Sequence, residues 1–298
     1  MNVSGTHTAI VTPFKKWEVD YEALNELVKQ QVAGNVTGIV SVGTTWESPT
    51  LMHDEHLSVI QKTVEYAGGK CLVIGGTGSN STKEAIDYTY GAEEAWVDWA
   101  LIVAPYYNKP TQQWVFLHYR EIAQHTKLPI ILYSIQWRCW IEINIDTVLK
   151  LARECPNIVA IKEAWWDVNK VRNMRVALDN AGLEDFQILS GDDGLTLPFM
   201  SVGATWVISV ASNIIPREVS HMVQMMSDGD LRWAQTVALR YNQLFNDLFI
   251  ESNPVPVKTV LAAMYPGIFT LDVRPPLCQL SEINRKQLFA TTWQVWLT

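Results

Sequence analysis

Apolar positions along the chain form eight short runs, and between these runs apolar residues recur at helical spacing. A short apolar run bounded by turn residues is typical of a buried strand, whereas a period of 3.6 residues is typical of an amphipathic helix. Strands that alternate with helices pair in parallel, and eight such units predict a closed (β/α)8 barrel, or TIM barrel. The predicted strands cover residues 7–11, 38–42, 71–75, 100–104, 130–134, 158–162, 187–190 and 204–210.

A doubly wound open sheet is the competing architecture for this pattern. Such a sheet usually carries a glycine-rich fingerprint directly after its first strand. Here the first predicted strand ends in Thr12-Pro13-Phe14, which offers no such fingerprint, so the barrel is favoured. The eight predicted helices begin near Tyr21, Asp54, Thr82, Thr111, Asp146, Val168, Gly194 and Pro216.

The pattern changes after the turn cluster at residues 227–230, beyond which only helical periodicity continues. Three helices are predicted over residues 231–249, 254–264 and 281–296. The chain is therefore expected to contain a catalytic barrel over residues 1–226 and a small helical domain over residues 227–298.

The composition narrows the class of protein without changing this architecture. Of 298 residues, 48% are hydrophobic and 18% are charged, and the net charge of −8 comes from interspersed acids and bases, which argues against a nucleic-acid partner. No apolar run approaches the roughly 18 residues of a membrane span, and no signal peptide is evident. Four scattered cysteines without CxxC spacing are typical of a reduced, cytoplasmic protein.

Lys162 ends a predicted strand and is followed by the acidic Glu163. A strand buried on both faces places this ammonium group where it must stay solvated, find a partner or lose its proton. A desolvated lysine has a lowered pKa, and a neutral amine can attack a carbonyl carbon to form a Schiff base. The alternative is an ordinary lysine that reaches solvent or an ion pair, and the local sequence leaves both open.

Polar side chains follow several predicted strands at their carboxyl ends, which form the active face of a barrel. Hydroxyl groups can hold a carboxylate, a phenol can relay protons, an amine can attack a ketone, and a guanidinium can grip a second carboxylate. Together these groups suit a keto-acid substrate. They are Thr44, Thr45, Tyr106, Tyr107, Tyr133, Arg138 and Lys162.

Five ordered motifs closely resemble the dihydrodipicolinate synthase family, a group of pyruvate-dependent class I aldolases that includes N-acetylneuraminate lyase. The resemblance covers nearly the whole chain and implies a barrel with a C-terminal helical domain, assembled as a homotetramer or homodimer. It also implies a lyase without metal or organic cofactor, which condenses pyruvate with L-aspartate-4-semialdehyde in lysine and diaminopimelate biosynthesis. The motifs are GTTWESPT (43–50), PYYNKPT (105–111), IKEA (161–164), SGDD (190–193) and NPVPVK (253–258).

The resemblance implies catalytic roles for four residues. Lys162 would form a covalent imine with pyruvate, and Tyr133 would relay protons beside it. Thr44 would link Tyr133 to Tyr107, which in this family comes from the neighbouring subunit of a tight dimer.

Four further residues are implied in substrate binding. Thr45 would hold the pyruvate carboxylate, Ile208 would contribute a backbone contact, and Gly191 would line the substrate site. Arg138 would bind the carboxylate of the aldehyde, which favours the synthase over the sialic acid lyase. Because the loop around Arg138 lacks the family's proline, another pyruvate-dependent aldolase or lyase, acting on N-acetylneuraminate or a keto-deoxy sugar acid, stays open.

A second group of residues matches the positions at which lysine-inhibited members of the family bind L-lysine. A carboxylate can pair with the lysine ammonium, while an amide and a phenol can hydrogen-bond its carboxylate. The two histidines of the group also permit two other interpretations, a zinc site or the ordinary start of a surface helix. They do not form HExxH and no third ligand is evident, so no metal site is predicted. The group is Ser48, His53, His56, Asn80, Glu84 and Tyr106.

The chain carries 13 Trp and 16 Gly, and eight of the Trp stand where the family usually has glycine. An indole ring adds roughly 150–250 Å² of surface to be accommodated, and overpacking typically costs about 1–3 kcal/mol per site. We therefore hypothesise that the set is engineered or is a systematic reading of glycine as tryptophan, and the alternative of a catalytically impaired variant that only binds ligand stays open. The eight are Trp17, Trp46, Trp96, Trp99, Trp114, Trp140, Trp166 and Trp206.

Overall fold

A closed barrel of eight parallel strands forms the centre of the computed structural model, which describes residues 5–297. The barrel order is β1-β4-β5-β6-β7-β8-β9-β10, and β2 and β3 form a separate antiparallel pair. The predicted (β/α)8 architecture is confirmed. The strands are β1 (Thr6–Ala9), β2 (Phe14–Lys15), β3 (Glu18–Val19), β4 (Gly38–Ser41), β5 (Leu72–Gly76), β6 (Trp99–Val103), β7 (Ile130–Ser134), β8 (Ile158–Glu163), β9 (Gln187–Ser190) and β10 (Trp206–Ser209).

Helices follow the barrel strands and continue beyond the last one. Several begin at a polar residue whose side chain accepts a hydrogen bond from the first turn, as Asp20, Ser81 and Thr111 do. The helices are α1 (Tyr21–Ala33), α2 (His53–Ala67), α3 (Thr82–Glu94), α4 (Gln112–Gln124), α5 (Gln136–Cys139), α6 (Ile145–Glu154), α7 (Val168–Asn180), α8 (Thr196–Met200), α9 (Pro216–Ser227), α10 (Leu231–Asp247), α11 (Val255–Met264) and α12 (Glu282–Leu297).

The barrel interior is filled by small and branched apolar side chains from alternate strand positions. Leu101, Ile131 and Leu189 belong to this buried cluster, which also contains the indole rings of Trp99 and Trp206 with their centroids 6.2 Å apart. The outer faces of the strands pack against the surrounding helices in two further clusters. Because the strands are buried on both faces, most of their sequences are rich in apolar residues, which is the signal that predicted them. The strand β1 is the exception, since it reads THTA although all four residues are buried.

The three helices α10, α11 and α12 form the C-terminal helical region. The predicted boundary between residues 226 and 227 falls at the last residue of α9, and it stays a prediction. Within residues 5–297, none of the helices combines the length and apolar character needed to cross a membrane.

Three features differ from the prediction. The strands β2 and β3 were not predicted, because two residues are too few to show a period. The short helix α5 lies in a segment predicted as loop, and α8, predicted to begin near Gly194, begins at Thr196 and has only five residues.

Candidate active site

A cavity of about 470 Å³ opens at the carboxyl ends of the barrel strands. Its wall includes side chains from four different strand ends, as predicted for the active face of a barrel. It is also lined by residues of the helical region, among them Phe249 and Asn253. The predicted site residues on its wall are Thr44, Thr45, Tyr133, Arg138, Lys162 and Gly191.

Lys162 lies near the end of β8, buried inside the barrel with 6% of its surface exposed. Its Nζ lies 4.2 Å from the ring centroid of Tyr133, its register partner on β7. Burial lowers the pKa of Lys162 to about 7, while Asp193 raises it and Arg138 lowers it further. The ion pairs of residues 5–297 do not include Lys162, so the alternative of a solvated or ion-paired lysine does not hold.

Tyr133 is buried beside this amine, and burial raises its pKa to about 12 while a hydrogen bond with the Thr44 hydroxyl lowers it. The phenol therefore stays protonated at neutral pH, and the Thr44 hydroxyl is placed to stabilise the phenolate that forms when the proton leaves. A neutral amine next to a protonated phenol is the arrangement that carbonyl addition and dehydration require.

The turn Thr44–Trp46 follows β4 and carries the predicted carboxylate site. Val42, just before it, has φ 58°, which is unusual for a β-branched residue and is found mainly where structure overdetermines the backbone. Thr45 faces the cavity, whereas the indole of Trp46 is fully buried and donates from Nε1 to the carbonyl of Val40 over 2.5 Å. The Trp46 ring therefore packs beneath the turn.

Arg138 extends from α5 to the cavity wall, with its guanidinium 4.2 Å from the ring centroid of Trp137. Trp137 in turn stacks on Trp166 at 6.4 Å. Arg138 takes part in none of the ion pairs within the described residues. The N–H groups of its guanidinium can therefore donate hydrogen bonds to a carboxylate in the cavity. Trp140 directly follows α5 and has a φ of 59°, in the left-handed region.

Gly191 directly follows β9 and makes room for the side chain of Lys162. A Cβ atom built there would lie 2.9 Å from Cε of Lys162 and 2.6 Å from Cβ of Ala164. Glycine at this position is therefore required for the lysine side chain to reach the cavity.

A buried ion network supports the end of β8 from outside the barrel. Glu163 is fully buried and pairs with Lys170 over 2.9 Å, and Lys170 pairs with Glu142 over 2.8 Å. The backbone N–H of Trp165 also donates to Glu163, over 3.0 Å. The network thus joins β8, α7 and Glu142, which lies in the segment after α5. Arg138 belongs to α5 itself.

Two predicted residues lie apart from this cavity in the single chain. Tyr107 is 88% exposed with φ 70°, and it does not line the cavity. Ile208 is buried on β10, and Val210 further along the chain reaches the cavity wall instead.

The second predicted group gathers around Tyr88 and Ser79. The rings of His53 and His56 stack on Tyr88 at 5.0 and 4.0 Å, and burial lowers the pKa of His56 to about 4, so this imidazole is neutral and donates from Nε2 to the Gly76 carbonyl. Glu84 accepts a short hydrogen bond from Ser79.

The remaining members of this group lie on neighbouring loops. Tyr106 hydrogen-bonds both Ser79 and the backbone of Asn80, and Ser48 starts the turn Ser48–Thr50. Burial raises the pKa of Tyr106, so its phenol is a donor at neutral pH. In the described part of the chain, no three His, Cys, Asp or Glu side chains come together as a metal site.

Sequence reasoning missed several residues that shape the cavity. Asp193 is buried near Lys162 and accepts hydrogen bonds from the backbone of Val210 and Ala211. Asn253 donates to Thr45 across 208 residues of sequence, and Lys258 pairs with Glu47. The SGDD and NPVPVK motifs were the available signal, but a motif alone does not reveal its distant partner.

Comparison with known proteins identifies the family to which these features belong. A model of the dihydrodipicolinate synthetase family matches residues 2–294. A 4-hydroxy-tetrahydrodipicolinate synthase of Aquifex aeolicus is 45% identical over 284 residues, which cover 95% of each chain.

Solved structures give the same similarity. The 4-hydroxy-tetrahydrodipicolinate synthase of Methylacidiphilum fumariolicum SolV matches with a TM-score of 0.96 and 45% identity over 99% of this chain and 97% of that one. The Acinetobacter baumannii dihydrodipicolinate synthase in complex with pyruvate matches with a TM-score of 0.95 and 38% identity over both full chains. The Cyanidioschyzon merolae enzyme with lysine bound matches with a TM-score of 0.94 and 38% identity over 99% of each chain.

Proposed function

This chain belongs to the dihydrodipicolinate synthetase family, and we propose that the cavity at its barrel mouth performs the family's reaction on Lys162. The protein is a lyase of the class I aldolase type with 4-hydroxy-tetrahydrodipicolinate synthase activity, in lysine and diaminopimelate biosynthesis. Its substrates are pyruvate and L-aspartate-4-semialdehyde. The observation that supports Lys162 as nucleophile is its burial beside Tyr133, without an ion-pair partner among residues 5–297.

In the proposed mechanism, the neutral Nζ of Lys162 attacks C2 of pyruvate, and the resulting carbinolamine loses water to give an iminium ion. Tyr133 donates the proton that the departing hydroxyl needs, and the Thr44 hydroxyl stabilises the phenolate that remains. The Tyr133 phenolate takes a proton from the methyl group, which gives an enamine. The enamine carbon attacks the aldehyde held by Arg138, and Tyr133 returns the proton to the new alkoxide. The amino group of the product then displaces Lys162 as the ring closes.

Borohydride trapping tests this proposal directly. With pyruvate present, reduction of the imine should add a stable adduct to the peptide that contains Lys162, detected by mass spectrometry. Lys162→Ala serves as the control, and an adduct on another lysine, or none in the parent protein, would contradict the proposal. A coupled assay with aspartate semialdehyde, compared with N-acetylneuraminate cleavage, separates the synthase from the sialic acid lyase.

Inhibition by L-lysine is proposed for the second group. The carboxylate of Glu84 suits the ligand's ammonium group, and the Tyr106 phenol and the Asn80 amide suit its carboxylate. The similarity to the lysine-bound C. merolae enzyme supports this. Calorimetric titration should show L-lysine binding that Glu84→Ala abolishes and Glu94→Ala, at the other end of α3, retains.

A homo-oligomer, dimer or tetramer, is proposed because Tyr107 is exposed in the single chain. If Tyr107 serves a neighbouring site, then mixing inactive Tyr107→Phe and Lys162→Ala chains should restore activity in the hybrid. No recovery after subunit exchange would place the action of Tyr107 within its own chain.

The proposed setting of the enzyme is the cytoplasm, without a metal or organic cofactor. The four cysteines, Cys71, Cys139, Cys155 and Cys278, are free thiols, which supports a reducing compartment. Activity that persists after exhaustive treatment with a chelator would support the proposed absence of a metal.

A further inference from the structure

Asn253, between α10 and α11, reaches the wall of the catalytic cavity from the helical region. Only 6% of the residue is exposed, and its Nδ2 donates a hydrogen bond to Oγ1 of Thr45 over 2.9 Å. Its Oδ1 is buried and lacks a hydrogen-bond partner within the described residues. Asn253 therefore contacts both the cavity and the residue proposed to hold the pyruvate carboxylate.

The direction of this hydrogen bond determines what Thr45 can do. A threonine hydroxyl has one proton to donate, whereas an amide NH2 group can only donate. Because Oγ1 of Thr45 accepts from Asn253, the hydroxyl proton is directed away from the amide and remains available on the cavity side. A hydroxyl held in this way is a donor for an anionic oxygen before the ligand arrives.

A second contact holds the same two segments together. Lys258 of α11 pairs with Glu47, two residues after Thr45, over 2.7 Å with both side chains buried. The turn that carries Thr45 is thus fixed to the start of α11 at two points. This keeps the amide of Asn253 in register with the hydroxyl.

We propose that Asn253 is a positioning residue, whose amide orients the Thr45 hydroxyl as a hydrogen-bond donor to the carboxylate of a 2-oxo acid. The inference rests on the proposed function, in which pyruvate is bound at Lys162. It assigns to the helical region a part in recognising the first substrate, exerted through Thr45.

Replacing the amide by an isosteric acceptor tests the direction of the bond. Asn253→Asp turns the donor into a carboxylate, which draws the Thr45 proton to itself. The pyruvate concentration that gives half-maximal borohydride trapping on Lys162 should rise about 10-fold or more, as expected for the loss of one hydrogen bond to a charged group. Asn246→Asp, which places the same charge on the cavity wall from α10, measures the effect of charge alone.

A double-mutant cycle separates positioning from a structural role. In a Thr45→Val background the hydroxyl is absent, so Asn253→Asp should add no more than about a 2-fold change beyond that of Asn246→Asp. If the aspartate variant does not fold, Asn253→Ala provides the same comparison, with a rise of about 3-fold that Thr45→Val removes.

The outcomes distinguish the two levels of the proposal. No adduct on Lys162 in the parent protein overturns the proposed function and this inference with it. A normal adduct in the parent with an unchanged half-maximal concentration in Asn253→Asp overturns the inference alone. A rise of equal size in both Thr45 backgrounds also overturns it, because Asn253 would then act independently of the hydroxyl.

Discussion

Two buried lysines occupy neighbouring regions of this molecule and have opposite surroundings. Lys162 lies in the barrel mouth and Lys258 at the junction with the helical region, with 6% and 4% of their surfaces exposed. Each Nζ lies over an aromatic ring, 4.2 Å from the centroid of Tyr133 and 4.4 Å from that of Phe14. Burial lowers the pKa of both.

The two lysines differ in whether a carboxylate forms an ion pair with the ammonium group. Lys258 pairs with Glu47 over 2.7 Å, which favours its charged form and partly offsets the effect of burial on its pKa. Lys162 instead faces a cavity, and its pKa falls to about 7. Burial alone therefore does not make a lysine a nucleophile. The lysine must also have open space at its Nζ and no carboxylate at ion-pair distance, and the more distant Asp193 only partly offsets the effect of burial on Lys162.

The largest expected difference between the regions is in activity. Lys162→Ala should lower kcat/KM by about 10³-fold or more and abolish trapping, because the covalent step has no substitute. Lys258→Met should retain trapping on Lys162, since the Nζ of Lys258 pairs with Glu47 and takes no part in imine formation. Mass spectrometry of the trapped peptides checks both, and trapping that requires Lys258 would remove the distinction.

The next largest effect is on stability, and here substitution of Lys258, not of Lys162, should have the larger effect. Lys258→Met leaves the carboxylate of Glu47 buried without its partner, which should lower the free energy of unfolding by about 3–5 kcal/mol. Denaturant unfolding measures this, with the double variant Lys258→Met/Glu47→Leu as the matched control. The double variant should recover much of the loss, and a single variant as stable as the parent would show that the pair is not buried in solution.

The dependence on pH sharpens the contrast further. With a pKa of about 7, the neutral fraction of Lys162 is about one-tenth at pH 6 and reaches a plateau above about pH 8. The rate of imine formation with pyruvate should therefore fall about tenfold per unit below pH 7 and level off above pH 8. A rate that continued to rise toward pH 10 would mean that burial in the barrel mouth does not lower the pKa of Lys162.

Sequence reasoning identified the eight barrel strands, and singled out the lysine at the end of one of them, for a physical reason. Continuous apolar runs and helical periods are local signals, and a lysine at the end of such a run is visible without coordinates. The partners of the two lysines are not local: Glu47 lies 211 residues from Lys258, and Asn253 lies 208 residues from Thr45. Nothing in the sequence alone pairs positions so far apart, so the junction was described only as a motif.

Eight tryptophans stand at positions where the family has glycine. For three of them, the backbone conformation explains why glycine is favoured at that position. Trp17, Trp96 and Trp140 have φ of 73°, 63° and 59°, in the left-handed region that glycine adopts without penalty. Mass spectrometry of tryptic peptides containing Trp46 and Trp206 tests whether indole is present throughout the set. Genuine indole masses in a folded, active protein would contradict the hypothesis of a reading error.

The smallest expected effect compares the same substitution in the two regions. Trp140 directly follows α5, the helix that carries Arg138 at the barrel mouth. The carbonyl of Trp17 accepts a hydrogen bond from Nε of Arg274. Glycine at either position should raise the free energy of unfolding by about 1 kcal/mol, because the left-handed backbone no longer opposes a side chain. Only Trp140→Gly should also change KM for the aldehyde, since it alters the end of the Arg138 helix.

Trp114 provides the matched control, because it is an exposed member of the same set that lies in the first turns of α4. Glycine there should lower the free energy of unfolding by about 0.5–1 kcal/mol, as expected for glycine in a helix. Opposite signs at Trp140 and Trp114 would show that backbone conformation decides the effect of each tryptophan. A gain in stability at Trp114 as well would show instead that bulk at these positions is unfavourable whatever the backbone, and the explanation from φ would fail.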